Sequence, residues 1–412
     1  SQWQKRLSLL KQGIGKTAKP ERLSPKTAKA LYGKNIFSSV SRLERFAGCP
    51  FSFFAEYGLK AEERRLYQLN TPDLGSLFHE VLELFSNKLE QDSLPWTSLT
   101  KEETTARIHA AVEDAAPRLG NRILLDSAAN QYLIRRLKRI STRAAWTLVQ
   151  HLQQGDFVPA GYEVGFGAHE ALPPIVIRLQ DGGSLILNGK IDRVDLLDAN
   201  GTRYVKIIDY KSGNKTFHFQ DIYYGLQLQL LVYLDAYLKY YKKTGASFKP
   251  GGVFYFRITD PTLALDEELS AEAIEKILYE KMRMSGLLLQ EDVLIHGLDH
   301  SLAESRSSAI VPVGYTKKGD PTAASNLATE EQYAAILDFV ATRTQEIGDA
   351  MKAGIITPAP YRDGQRTPCS YCSYRSLCRH SYGEAPRWRK LKKIDKADFW
   401  ESITPKQPPE TE

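Results

Sequence analysis

Long apolar runs are missing from this chain of 412 residues. No stretch of about 18 consecutive apolar residues occurs, so none of its helices is expected to cross a bilayer. Cysteine is scarce, at 4 residues. So few in a chain this large, with no signal-peptide pattern at its start, argue against a secreted disulfide framework. The opening Ser-Gln-Trp-Gln-Lys-Arg also lacks an initiator methionine, so a piece excised or processed from something longer is expected. Strong charge of one sign is lacking too: a net charge of +6 permits a polyanionic partner without demanding one. No internal repeat is present. Nor is there a complete phosphate-binding loop, because Gly15-Lys16-Thr17 has Leu10 where the first glycine of that motif belongs.

What is present suffices for a large core in one or two domains, with 42% hydrophobic residues and 25% charged. The most informative stretch runs from Gly189 to Gly213. It reads as two strands around Asn200-Gly201, a dipeptide suited to the positive φ angles of a tight hairpin turn. With a two-residue turn, residues whose numbers add to 401 face each other, and Asp192 lies opposite Asp209. Directly opposed Cβ atoms are roughly 5 Å apart, where like charges are destabilising. Two such carboxylates call for something positive between them, and a divalent cation is the obvious candidate. Lys211 shares a face with Asp209 and could orient a water or stabilise developing negative charge.

Other elements surround this hairpin. Residues 1–35 read as a basic N-terminal arm and 391–412 as a C-terminal tail, leaving 36–390 as the folded domain. Ser38 to Phe46 carries a helix-capping signature and runs into Cys49-Pro50. Phe51, Phe53, Phe54 and Tyr57 read as core, with base stacking as the second reading. Thr71-Pro72-Asp73 opens a helix whose apolar stripe is Leu74, Phe78, Val81, Leu82 and Phe85. His79 sits at the edge of that stripe and, taken alone, reads as a structural histidine. Arg135, Arg136, Arg139 and Arg143 form a solvated helix face that would also suit phosphate contact. Strands dominate from Gly161 to Lys211. A helix from about Asp221 to Lys242 follows, placing Gln229 and Tyr233 on one face. The order of elements indicates an α/β or α+β fold whose small sheet carries the site. Cys369, Cys372 and Cys378 cluster, with Cys49 far upstream. Four thiolates suit zinc and an iron–sulfur cluster alike.

Gly189-Lys190-Ile191-Asp192-Arg193-Val194-Asp195 together with Ile208-Asp209-Tyr210-Lys211-Ser212-Gly213 resembles the nuclease motifs of the PD-(D/E)XK superfamily, RecB branch. Gly75-Ser76-Leu77-Phe78-His79 looks like that branch's upstream histidine motif, and Gln229 to Tyr233 its Gln-x3-Tyr motif. The split cysteine set, with Ser39 to Glu44 running into Cys49-Pro50-Phe51, is most similar to B-type subunits of the bacterial AddAB helicase–nucleases. The resemblance implies an α/β restriction-endonuclease-like core, a small mixed sheet flanked by helices, with helical additions and an iron–sulfur staple. It implies that Asp192 and Asp209 hold Mg2+ (one or two ions), with His79 a further metal ligand and Lys211 the catalytic lysine. Gln229 and Tyr233 would support Lys211 or a phosphate oxygen. Cys49, Cys369, Cys372 and Cys378 would hold a [4Fe–4S] cluster, with zinc as the alternative. The implied activity is a bacterial cytoplasmic deoxyribonuclease that trims the 5′-ended strand at broken DNA ends, beside an AddA-type helicase–nuclease subunit that supplies the ATP-driven motor. Two other readings stand beside it: a freestanding single-strand exonuclease of the same branch, and a metal-stapled DNA-binding scaffold without catalysis.

Overall fold

The computed structural model describes residues 3–4, 6–8, 22–62, 71–118, 128–263, 268–378 and 388–404. Gly15-Lys16-Thr17 lies outside the described residues. The core is a six-stranded mixed sheet in the order β2-β5-β6-β7-β8-β9. Its strands are β2 (Val158–Phe166), β5 (Gly189–Ala199), β6 (Thr202–Lys211), β7 (Phe248–Arg257), β8 (Ser285–Leu289) and β9 (Leu327–Ala328). β6 is buried from Tyr204 through Tyr210, as a central strand covered on both faces should be. Its neighbours differ: β5 is antiparallel to it and β7 parallel.

A parallel pair needs a crossover. Here that connection contains α5 (Gln229–Lys243), which packs on β6 and β7. The single helix expected from about Asp221 is instead two pieces, Phe219–Tyr223 and α5. Gly225 breaks it with a φ of +73°, and Leu226 N–H turns back to the Asp221 carbonyl at 2.7 Å. Helix α1 (Val40–Gly48) begins after Ser39, whose hydroxyl caps nothing. α2 (Thr71–Gln91) packs against β2, burying Leu77, Phe78, Val81, Leu82, Phe85 and Leu89. α3 (Lys101–Ala115) starts with a capping box between Thr100 and Glu103. α4 (Ala128–Gln153) lies over the face of the sheet bearing Phe256, which its His151 meets edge-on at 6.0 Å.

β3 (Ile175–Arg178) and β4 (Ser184–Leu187) do not join the main sheet. They form a separate three-stranded sheet with β1 (Asn35–Ser38), in the order β1-β4-β3. Two further helices complete the elements used below, α6 (Ala271–Lys281) and α7 (Glu330–Lys352). The described part of the C-terminal stretch is less tail-like than its composition suggests. Within 391–412, helix α8 (Lys396–Ile403) buries Phe399 and Trp400, and Phe399 packs 5.1 Å from Phe219 and 6.1 Å from Phe339 of α7. Of the aromatic run after Cys49, Phe53 joins the core, 5.5 Å from Phe46. Among the described residues no helix is long and apolar enough to cross a membrane.

Candidate active site and cysteine pocket

The hairpin is built as its turn dictates. Asn200 and Gly201 have φ of +51° and +74°, and the ladder runs from Ala199↔Thr202 to Arg193↔Ile208. Every pair sums to 401, so one more step sets Asp192 against Asp209. There the Tyr210 N–H donates to the Asp192 carboxylate at 2.5 Å. Both acids are buried, and Lys211 Nζ contacts Asp209 Oδ2. From α2, His79 Nδ1 approaches Asp192 Oδ2 at 3.4 Å. The four residues expected around one ion therefore converge at one end of the β5–β6 hairpin.

The electrostatics are those of a site short of positive charge. Burial, then the neighbouring Asp192, pushes Asp209 up to about 6, against the pull of Lys211. Burial would depress Lys211, but Asp209 and Asp192 hold it above its ordinary value. Burial likewise works against the charged form of His79, and Asp192 overcomes it, leaving its pKa raised. Asp209 Oδ2 makes no well-aligned hydrogen bond although it is buried. Two buried carboxylates side by side, with the Asp209 oxygen answered by Lys211, fit a hard divalent cation whose ligands are oxygens and one imidazole.

A further carboxylate completes the cluster and was not read from the sequence. Glu163 of β2, His79 and Asp192 offer ligand atoms that all lie within 4.8 Å of one another. Asp209 is not part of that close trio; its carboxylate meets Lys211. Burial, then Asp192 and Glu83, pushes Glu163 up to about 7. Its φ is +46°, next to a register shift between Pro159 and Gly161. A non-glycine residue held in that region is strained, and such strain concentrates at functional sites. The only sequence signal was one acidic side chain inside the run Tyr162 to Phe166, and nothing in its spacing pointed to the hairpin. A cleft of about 700 Å³ opens onto this group, lined by Gly75, Ser76, His79, Glu80, Glu163 and Ser212 among others.

Gln229 and Tyr233 lie one turn apart at the start of α5. Tyr233 is buried with its hydroxyl where a Cβ on Gly189 would be. Glycine leaves room for that hydroxyl, and burial, with Asp209 and Asp192 close enough to add to it, raises the Tyr233 pKa. Lys211 lies 5.9 Å from the Tyr255 ring. Gln229 begins α5, and among the described residues its side-chain amide makes no hydrogen bond. Its backbone N–H and that of Leu228 donate to Glu44 Oε1, at 3.0 and 2.8 Å. Glu44 thus satisfies the helix N-terminus from a distant helix and also pairs with Lys215 at 3.1 Å. It ties α1, which runs into Cys49, to the helix beside the site.

Behind the acids, on the opposite face of the same two strands, lies a buried ionic trio. Asp195 accepts from Arg193 Nε at 2.6 Å and Nη2 at 3.0 Å, and from Lys206 Nζ at 2.9 Å. All three are almost wholly inaccessible to solvent. The Arg193 guanidinium stacks 4.7 Å from Trp96, and Lys206 Nζ lies 4.5 Å from Phe157.

The four cysteines, Cys49 lying 320 residues before Cys369, line one small pocket with Phe51, Ser52 and Pro368. Cys372 Sγ lies 3.9 Å from Ser52 Oγ. Burial pushes the Cys49 and Cys369 thiols up. No three of the Sγ atoms all lie within 4.8 Å of one another. Tetrahedral zinc, with Zn–S of about 2.3 Å, needs sulfurs about 3.8 Å apart.

Comparison with known proteins agrees with this geometry. Over 406 residues the chain is 41% identical to the B subunit of an ATP-dependent helicase/deoxyribonuclease from Alkaliphilus oremlandii (strain OhILAs), covering 98% of this chain and 35% of that protein. The protein of the same name from Alkaliphilus metalliredigens (strain QYMF) is 43% identical over 378 residues, 91% of this chain and 33% of the relative. That from Thermoanaerobacter sp. (strain X514) is 36% identical over 402 residues, 97% and 35% respectively. The chain therefore spans about a third of the length of the curated relatives it matches. Residues 38–379 match the family model of the PD-(D/E)XK nuclease superfamily, and with the mixed sheet described above the chain belongs to that superfamily.

Proposed function

We propose that this chain is a Mg2+-dependent deoxyribonuclease domain of a B-type helicase–nuclease subunit, trimming the 5′-ended strand at DNA breaks for recombinational repair. The observation that carries the reading is the convergence of Asp192, Asp209, Lys211 and His79 at one end of the hairpin, two buried acids among them. Asp192, Asp209, His79 and Glu163 would hold one or two Mg2+. When bound, Mg2+ neutralises charge on the scissile phosphate and makes water acidic enough to attack near neutral pH. Lys211 keeps its proton and lies where it can orient the attacking water or hold the phosphate's developing charge. Water oxygen bonds to phosphorus, the P–O bond to the next sugar breaks, and that oxygen leaves with a proton. Tyr233 and Gly189 hold the start of β5, and Glu44 holds the N-terminus of α5.

The same reading gives the cysteines a structural role: phosphodiester hydrolysis has no redox step. Cys49, Cys369, Cys372 and Cys378, which line one pocket, would hold a [4Fe–4S] cluster, with zinc as the alternative. Such a group would restrict a very long loop and hold the C-terminal segment against α1. The similarity to helicase/deoxyribonuclease B-type subunits supports a helicase–nuclease setting, with an AddA-type partner supplying the motor.

The test is Mg2+-dependent degradation of 5′- and 3′-labelled DNA by the wild-type chain and by Asp209→Ala and Lys211→Ala. Both variants should bind DNA and fail to cut it. Unchanged cutting in both would remove the site, and loss of the 3′ label before the 5′ label would reverse the strand preference.

A further inference from the structure

A second cavity, of about 580 Å³, lies between α3, α4 and α6 and shares no lining residue with the cleft at His79. Its walls carry six cations, Lys101, Arg135, Lys138, Arg139, Arg143 and Lys276, against one carboxylate, Glu275. Part of this charge is answered locally. Lys138 pairs with Glu113 at 2.6 Å, and Arg139 with Asp260 at 2.7 Å. Arg143 lies 3.5 Å from Asp260 and 3.7 Å from Glu275. Arg135 and Lys276 form no ion pair among the described residues.

The cavity is more than a charged surface. Trp146 and Tyr279, both half-buried, line it. The volume lies within the range of about 300–1,000 Å³ usual for ligand pockets.

Cations around a concavity lined by aromatic side chains match two parts of a nucleotide, its phosphate and its base. A duplex keeps its bases stacked inside and offers only its sugar–phosphate backbone and groove edges, so it cannot fill such a pocket. An unpaired strand can place a base against Trp146 and its flanking phosphates on Arg135 and Lys276. We propose that this pocket is an accessory binding site for single-stranded DNA, separate from the cleavage cleft. It rests on the nuclease reading only in taking DNA as the ligand. A strand held there and in the cleft would be gripped at two places, which slows its escape between successive cuts.

The test is binding of fluorescein-labelled oligo(dT) of 20 nucleotides in EDTA, where no cutting occurs, over a range of salt concentrations. Arg135→Gln/Lys276→Gln removes two cations without disturbing an ion pair. It should bind on the order of tenfold more weakly at low salt. The slope of log affinity against log salt should become shallower by about 1.4, or about 0.7 per lost phosphate contact on a single strand. Oligo(dT) should also quench tryptophan fluorescence, and Trp146→Phe should lose that quench while keeping its melting temperature. Affinity and salt slope equal to wild type, or a quench that survives Trp146→Phe, overturns the proposal. So does dTMP or inorganic phosphate quenching as well as the oligonucleotide, which would make the pocket a small-molecule site. Mg2+-dependent cutting by the wild-type chain, measured alongside, separates the two failures. If cutting persists while the double variant binds normally, only the accessory site falls; if nothing is cut, the nuclease reading falls, and oligo(dT) binding and quenching still decide the pocket.

Discussion

Removing Asp195 should destabilise the chain far more than removing any surface charge. Its carboxylate is fully buried and answers both Arg193 and Lys206. Burial pushes its pKa up, but the two cations more than compensate and hold it below the ordinary carboxylate range. Asp195→Ala leaves an arginine and a lysine in the interior with no counter-ion. Breaking a buried pair from one side costs about 3–5 kcal/mol. Against a total stability of about 5–15 kcal/mol, that is a fifth or more of what holds the domain folded. Asp195→Asn keeps an acceptor oxygen and the shape, so it should lose less than Asp195→Ala. The triple change Arg193→Met, Asp195→Leu, Lys206→Met should recover most of the loss, because apolar residues of similar volume carry no desolvation penalty. Urea unfolding followed by far-ultraviolet circular dichroism at pH 7 measures all three. A loss below about 1 kcal/mol for Asp195→Ala would refute the reasoning, since the trio would then be solvated.

Three more outcomes are expected. Asp209 and Glu163 are raised in the fold to about 6 and about 7. Their protonated forms favour folding, an effect complete below pH 4 and lost as pH rises through those values. In EDTA the melting temperature should therefore fall between pH 5 and 8, with Mg2+ restoring it at pH 8, and Asp209→Asn should stabilise the metal-free chain at pH 8 by on the order of 2 kcal/mol; a flat pH profile contradicts this. Glu163→Gln should raise the Mg2+ concentration for half-maximal cutting by about tenfold, and an unchanged value removes Glu163 from the site. Cys372→Ala should lose the brown absorbance of the cluster and lower the melting temperature, whereas a colourless wild type with stoichiometric zinc after anaerobic purification excludes the cluster.

The hairpin was legible because its information is local. Asn200-Gly201 dictates the turn, the turn dictates the register, and alternation then puts Asp192, Asp209 and Lys211 on one face. The stripe of α2 was legible for the same reason. Long-range pairings were not. Asn35–Ser38 gives no sign that it will lie parallel to β4, nearly 150 residues later. Glu163 enters the site from a position within β2 held at positive φ, which an alternating pattern does not reveal. Arg193, Asp195 and Lys206 look like ordinary strand charges until the fold buries all three together. Gly225 offered a visible break in the helix, but the apolar run on both sides of it masked the signal. Tyr233 shares a helix face with Gln229, yet only the packing of α5 on β5 shows that it is seated over Gly189.

Whether Asp192 and Asp209 share an ion is tested most directly by titrating Mn2+ into the metal-free chain at pH 8 and following free Mn2+ by electron paramagnetic resonance. The wild-type chain should bind one or two ions that Mg2+ displaces. Asp192→Asn and Asp209→Asn should each abolish that binding while the circular dichroism spectrum stays unchanged. Binding at wild-type affinity in both variants would contradict a shared site and, with it, the mechanism built on the hairpin.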